Sequence, residues 1–273
     1  MITNLEIGYN GRLGNQLFQY AACFSTAKRL NVEFFIPKKN VYNIKQDGCF
    51  NFSNNQWIPY NFRMYDCFKI TAPIYDQIVD NIFQEPYLQY TKEFNDIIDN
   101  TSIQGYYQSE KYFYEYKTDI YKEFTFKDEI RTRALNVINS FNTNNEIVAV
   151  HIRRGDNVVN PTFPLISLEY IQLAINLFNN KEYNFLIISD DIPYCKQIFT
   201  ESENIKFSNG TSDFVDLCIM SLVHHNIISN SSFSWWGAYL NQNINKRVIA
   251  PNNWFKDKSI ITSDIYPSTW ITI

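Results

Sequence analysis

Apolar residues in this chain fall into two patterns, and along the second half the two alternate. Ile147, Val148, Ala149 and Val150 form a short unbroken run, partly β-branched, with the composition of a buried central strand. Asn184–Ile188 reads as a second buried strand, Lys206–Phe207 as a short one, and Asn226–Ser229 and Arg247–Ala250 as two more. Between these runs the spacing becomes helical. Ser167 is a fitting N-cap for a helix over Leu168–Phe178. Pro193 suits the first turn of the next helix. Asp213–Leu222 predicts a helix with Phe214, Leu217, Cys218 and Leu222 inward, and Asn230–Trp236 a polar loop entering a helix that runs through Leu240. Strands and helices alternating in this way imply parallel βαβ units.

The first half is less regular. Ile2, Leu5 and Ile7 suggest a strand, Gly8, Gly11 and Gly14 a turn, and Leu13, Leu17, Ala21, Phe24 and Ala27 a helix. Such a strand–glycine loop–helix passage presents free backbone N–H groups and a positive dipole end. The glycines do not match the dinucleotide pattern GxGxxG, and no Gly-Lys-Ser/Thr of a Walker A loop occurs. Residues 40–130 are rich in Tyr, Phe, Asn and Lys and show little periodicity, although Ser102–Ser109 reads as a strand running into a loop. Residues 127–141 predict a helix with Ile130, Ala134, Leu135 and Ile138 on one face. The chain therefore reads as two α/β domains, 1–142 and 143–273, separated by a cleft.

Composition narrows the function classes. With 273 residues and 45% hydrophobic content, the chain can bury one large core or two small ones. A net charge of −4 without a long basic run argues against a nucleic acid as partner. Aromatics reach 17%; most are expected in the core, with any excess available to line a sugar site. Five scattered cysteines without CxxC pairs argue against a disulfide framework and a zinc site, and for a reducing cytoplasm. The opening MITNLEIGYN lacks the pattern of a signal peptide, and no stretch approaches the roughly 18 apolar residues of a membrane span.

The candidate chemistry starts where the Ile147–Val150 strand ends, in His151, Ile152, Arg153, Arg154, Gly155 and Asp156. Ligands of open α/β sheets sit at the carboxyl ends of strands. Arginine there offers a charged fork of donors matched to phosphate oxygens, which points to a diphosphate site. A chance Arg-Gly-Asp turn and a structural ion pair with nearby acids are the competing readings. Ser231, Ser232 and Ser234 would add hydroxyls and N–H groups at a helix start. Asp216 lies on a helix running toward the same edge and could accept the N1–H and N2–H₂ donors of guanine. Asp190-Asp191 looks like a metal-binding pair, but is expected to edge the pocket or to cap the Pro193 helix. His224-His225 is discounted as a ligand pair on helical geometry, and Trp235 and Trp236 are expected in the core.

Together these segments resemble the family 11 glycosyltransferases, the bacterial α-1,2-fucosyltransferases. The matching stretches are GRLGNQLFQYA (Gly11–Ala21), GYYQSEKYF (Gly105–Phe113), HIRRGD (His151–Asp156), DLCIMSLVHHNIISNSSFSWWGAYLN (Asp216–Asn241) and APNNWF (Ala250–Phe255). The resemblance implies an α/β GT-B fold of two Rossmann-like domains, 1–142 on the acceptor side and 143–273 binding GDP-L-fucose. It implies transfer of L-fucose, with inversion, to the 2-hydroxyl of a terminal β-galactose, often in a lipopolysaccharide or capsule glycan. It further implies no metal and no cofactor beyond the donor substrate, in a cytoplasmic enzyme with peripheral inner-membrane contact left open.

Physical argument assigns the roles. Charge developing on the β-phosphate needs a cation, Arg153 first and Arg154 second. Asp156 is the candidate base, with the orienting of an arginine as its competing role. His151, Ser231, Ser232, Phe233, Ser234 and Asp216 complete the donor site, Phe233 on the ribose or else in the core. Asn15 and Gln16 are expected to reach the fucose or phosphate from the first domain. A glycan- or nucleotide-binding module without turnover, and a transferase for another GDP-sugar, stay open as alternatives.

Overall fold

The computed structural model describes residues 1–38, 49–51, 56–58, 63–142, 144–178, 183–208 and 210–273. Part of the aromatic middle segment thus lies outside the described residues. The chain divides into two compact units. The first takes in Met1–Asn51, Asn55–Thr125 and Ile260–Pro267, and the second Phe126–Ser259 and Ser268–Ile273. The boundary therefore precedes the helix at residues 128–139 instead of following it, and a C-terminal segment returns to the first unit.

In the first unit, β1 (Ile2–Thr3), β2 (Asn81–Gln84) and β3 (Thr101–Gln104) form a parallel sheet in the order β1-β3-β2. β1 is shorter than Ile2, Leu5 and Ile7 suggest. The Asn4 side chain accepts the Glu6 N–H at 2.8 Å, and a local turn replaces the ladder. Helix α1 (Leu13–Leu30) buries Leu17, Phe18, Ala21 and Ala22 and ends at Asn31 in the left-handed region, φ 54°. The aromatic excess is largely core here: Tyr20 packs against Phe34 and Phe124 and donates to Glu123 at 2.5 Å. The returning C-terminal segment is tied down by Asp264, which accepts the Tyr90 N–H at 3.2 Å and pairs with Lys111.

The second unit follows the predicted alternation. Its elements are α2 (Asp128–Asn139), β4 (Glu146–Ile152), α3 (Leu168–Asn176), β5 (Tyr183–Ser189), α4 (Ile192–Ile198), β6 (Ile205–Phe207), α5 (Asp213–Leu222), β7 (His225–Ile227), α6 (Ser232–Leu240), β8 (Val248–Ala250) and β9 (Ile271–Thr272). The six strands are parallel, in the order β9-β8-β7-β4-β5-β6. Val148, Val150, Ile152, Phe185, Ile187, Ile227 and Ile249 pack on one face against Tyr170, Ile171 and Ala174 of α3. Alternation turns Ile147, Ala149, Leu186 and Ile188 to the other face. α5 packs against both α2 and α6. Val215, Leu217, Cys218, Ile219 and Met220 of α5 are buried, whereas Phe214 and Leu222, expected inward, are only half-buried.

Neither histidine is helical: His225 opens β7 and His224 directly precedes it. His225 is buried with Nε2 3.0 Å from Glu146, and His224 accepts the Ile147 N–H at 2.9 Å. Trp235 and Trp236 are fully buried.

Candidate active site

The strand order of the second unit reverses its direction of growth beside β4. β5 and β6 extend to one side and β7, β8 and β9 to the other. Two adjacent parallel strands whose connections diverge leave a crevice at their carboxyl ends, the usual ligand position in open sheets. Arg153 follows β4 at that crevice, and Ser229 stands at the end of the neighbouring β7 segment.

Two serine hydroxyls hold the strand ends in place. Ser229 Oγ donates to the His151 carbonyl at 2.7 Å and accepts the Arg153 N–H at 2.9 Å. Ser189 Oγ donates to the Ile152 carbonyl at 2.7 Å and accepts the Asp191 N–H at 2.9 Å. Sequence reasoning passed over both. The available signal was that each apolar run ends Ile-Ile-Ser, at residues 187–189 and 227–229.

The arginines are compensated by acids. Arg153 forms ion pairs with Asp156 and with Asp190. Arg154 pairs with Asp191 at 3.1 Å, lies 3.4 Å from the Tyr194 ring centroid and donates its backbone N–H to Asp190 at 2.8 Å. Three carboxylates thus face two guanidinium groups, and the basic edge read from the sequence is neutralised locally. Asp156 thus pairs with Arg153, the first of the two arginines. Asp191 also accepts the Tyr194 N–H at 3.1 Å, capping α4 as expected of the acid pair. Among the described residues, no group of three or more His, Cys, Asp or Glu is arranged to hold a metal.

His151 is 5% exposed, and its Nδ1 has no hydrogen-bond partner among the described residues. Burial, reinforced by Arg153, pushes it down to about 3, so the ring is neutral at any ordinary pH. Phe233 lies against it, with ring centroids 5.5 Å apart. Ser231 is the N-cap residue of α6, and Ser232 and Phe233 begin the helix half-buried. Ser234 is different: it is fully buried and its hydroxyl donates to the carbonyls of Ser229 and Ser231, each at 3.2 Å. Its hydroxyl is therefore spent inside the fold, not held out toward an anion.

Asp216 sits in the first turn of α5, beyond the carboxyl end of β6. Thr211 donates to it at 2.6 Å, and Ser208 donates to the same oxygen. Burial pushes it up to about 6 against the opposing effect of those two hydroxyls.

In the first unit, Asn15 belongs to the opening turn of α1, and its Oδ1 accepts from Gln108 Nε2 at 2.9 Å. Gln16 is 2% exposed and lies inside that unit, so only Asn15 of the expected pair reaches the surface.

A carboxyl-edge arginine loop at a switch point and an adjacent serine-led helix are common to more than one nucleotide-dependent enzyme class. The comparison with known proteins decides among them. The family described as glycosyl transferase family 11 matches residues 2–273. The chain belongs to that family.

This glycosyltransferase is 31% identical to an alpha-1,2-colitosyltransferase of Escherichia coli over 96% of each chain. It is 26% identical to galactoside 2-alpha-L-fucosyltransferase SEC1 of Bos taurus over 86% of this chain and 63% of that protein. Among solved structures it resembles the fucosyltransferase NodZ from Bradyrhizobium, with a TM-score of 0.51 at 14% identity, covering 87% of this chain and 90% of the other. The fold is GT-B, α/β with parallel sheets in both units, the class expected from the sequence. Among the described residues, no helix of this glycosyltransferase is long and apolar enough to cross a membrane.

Proposed function

We propose that the chain transfers L-fucose from GDP-L-fucose to the 2-hydroxyl of a terminal β-galactoside, with inversion and without a metal ion. The observation that carries this reading is the match to glycosyl transferase family 11 along residues 2–273, with Arg153 standing at the switch point of the second unit's sheet.

The second unit takes the donor. Departure of GDP leaves charge on the β-phosphate, and the Arg153 guanidinium stabilises it, its plane held by Asp156 and Asp190. Arg154, braced by Asp191 and Tyr194, is the second cation. The Ser231 N–H is held by the Ser229 carbonyl at 2.8 Å, so the Ser232 N–H and the hydroxyls of Ser231 and Ser232 at the start of α6 are the donors for the pyrophosphate. Asp216 accepts from the guanine edge, and Phe233, backed by His151, packs on the ribose. The first unit binds the acceptor. Since Asp156 is bound to Arg153, its role is to orient the guanidinium. A dissociative transition state, with little demand on the nucleophile, then needs no strong base.

The enzyme works in the cytoplasm on a glycan destined for the cell surface, a lipopolysaccharide or capsule. Purified protein incubated with GDP-L-fucose and lactose or N-acetyllactosamine, with and without EDTA, should give an α-1,2-fucosylated product in both cases. Tight GDP binding without turnover on any β-galactoside from any GDP-sugar would leave only a binding module.

A second reading concerns the donor. The colitosyltransferase is more similar to this chain than the bovine fucosyltransferase is, 31% against 26%. Colitose is L-fucose lacking its 3-hydroxyl. Competition between the two GDP-sugars separates the readings: preference for the deoxy donor would replace fucose in the proposal.

A further inference from the structure

At the carboxyl edge of the first unit's sheet, the Asn15 amide is gripped from two sides. Gln108 Nε2 donates to Asn15 Oδ1 at 2.9 Å. On its other side the amide lies against Gly11: a Cβ at Gly11, where φ is +104°, would fall 2.1 Å from Asn15 Nδ2. Gly11 thus leaves the space that the amide fills.

Gln108 is itself held. The loop that carries it leaves β3 through Gly105, whose φ of +149° and a would-be Cβ 2.4 Å from Glu85 Cβ exclude any other residue. The Glu85 carboxylate accepts the N–H groups of Tyr106 and Tyr107 at 2.6 and 3.0 Å. Gln19 Nε2 donates to the Gly105 carbonyl at 3.0 Å, and the buried Tyr107 returns its hydroxyl to the Gln104 carbonyl at 2.9 Å. The loop is therefore clamped at three successive residues, and Gln108, 8% exposed, enters with little freedom.

We infer that Gln108 is a positioning residue that sets the polarity of Asn15, fixing its carbonyl toward Gln108 and leaving its NH₂, on the Gly11 side, as the end that can donate to a ligand. An asparagine amide presents two donors on one end and an acceptor on the other, and the end engaged by the protein decides which end a ligand meets. Asn15 so held is matched to an acceptor atom, a phosphate oxygen or a sugar oxygen without its proton, and not to a hydroxyl donating its own. The inference rests on the reading of Asn15 as a donor-binding residue.

Three variants test it. Gln108→Glu keeps size and shape but can only accept, so Asn15 must turn over and put its carbonyl where its NH₂ was. Gln108→Met removes the contact and leaves the amide free to rotate. Asn15→Asp keeps the bond from Gln108 but replaces the NH₂ by an acceptor. If polarity matters, kcat/KM for the donor falls by about 100-fold in Gln108→Glu and in Asn15→Asp, the loss of one preorganised donor, but only about 5-fold in Gln108→Met. The KM for the acceptor stays within about twofold of wild type. A purely structural contact gives the opposite order, because glutamate can satisfy a turned asparagine and methionine cannot. Equal rates in Gln108→Glu and Gln108→Met, or near-wild-type activity in Asn15→Asp, would overturn the inference. Should Gln108→Glu fail to fold, Asn15→Asp decides alone. If wild type transfers fucose to no β-galactoside, the functional reading fails, and the same order among the variants is then read from GDP-fucose affinity by calorimetry.

Discussion

Arg153 and Asp190 meet against the backbone of Gly155. A Cβ on Gly155 would lie 2.3 Å from Asp190 Oδ2 and 3.0 Å from Arg153 Nη1, and the glycine holds φ at +27°. The ion pair and the turn therefore require each other: the absent side chain is the space in which the carboxylate sits.

Gly155→Ala should separate that pair and strain the turn, at a cost of about 1–3 kcal/mol. Urea unfolding should show the loss, with a falling transfer rate. A variant matching wild type in both would mean that the Arg153–Asp190 contact does not depend on this turn.

Arg153→Ala should lower kcat by about 10²–10³-fold, the effect of removing one preorganised donor for developing charge. Arg153→Lys should also be impaired, since a point charge cannot hold two carboxylates and a phosphate as a planar fork does. Arg154→Ala should be milder, because Arg154 is tied to Asp191 and Tyr194, outside the Asp156–Arg153–Asp190 chain. Steady-state kinetics at saturating donor would check the order; near-wild-type turnover by Arg153→Ala would remove it from the mechanism.

GDP affinity should depend on pH through Asp216. Its acid form persists up to about 6 because burial disfavours the charge. A protonated carboxyl accepts poorly from the two guanine donors, so affinity should weaken as pH falls from 7.5 to 5. The folding linkage has the opposite slope. With its pKa raised in the folded state, Asp216 contributes most below its ordinary value of 3.8, and stability declines as pH rises from there through about 6. Asp216→Asn should flatten both profiles and reduce discrimination of GDP from ADP. Calorimetric titration at several pH values reads the first, and urea unfolding the second.

Gly237→Ala should destabilise the second unit without touching the chemistry. A Cβ at Gly237 would stand 2.6 Å from Met220 Cβ, where α6 crosses α5. Overpacking of this kind costs about 1–3 kcal/mol. The urea midpoint should fall while the donor KM holds; an unchanged midpoint would show that the two helices can part freely.

Much of the second unit was legible in the sequence. The strands at 146–152 and 183–189 and the helix starts at Ser167 and Asp191 appear close to where apolar runs and capping residues put them. Ser167 accepts the Tyr170 N–H at 3.1 Å, the bond that makes serine a good cap. The first unit was less legible. Its strands have two to four residues, too short for a period to show, and it relies on aromatic packing and a returning C-terminal segment. Within the site, the arginines, Asp156, Asp216 and the serine row could be named. That Ser234 turns inward, that Gln16 is buried and that Asp190 holds Arg153 could not, since each depends on a neighbour remote in the chain or on which way a helix faces.

The sequence by itself determined the succession of strands and helices and the residue types at their carboxyl ends. Those features follow from local backbone periods and from caps, which act within a few residues. Only the tertiary structure decided the strand order that sets β7 beside β4, the pairing of Arg153 with Asp156 and Asp190, and the grip of Gln108 on Asn15. Ion pairs and amide contacts are short-ranged and indifferent to sequence separation. They exist only once packing has brought their partners within about 3 Å.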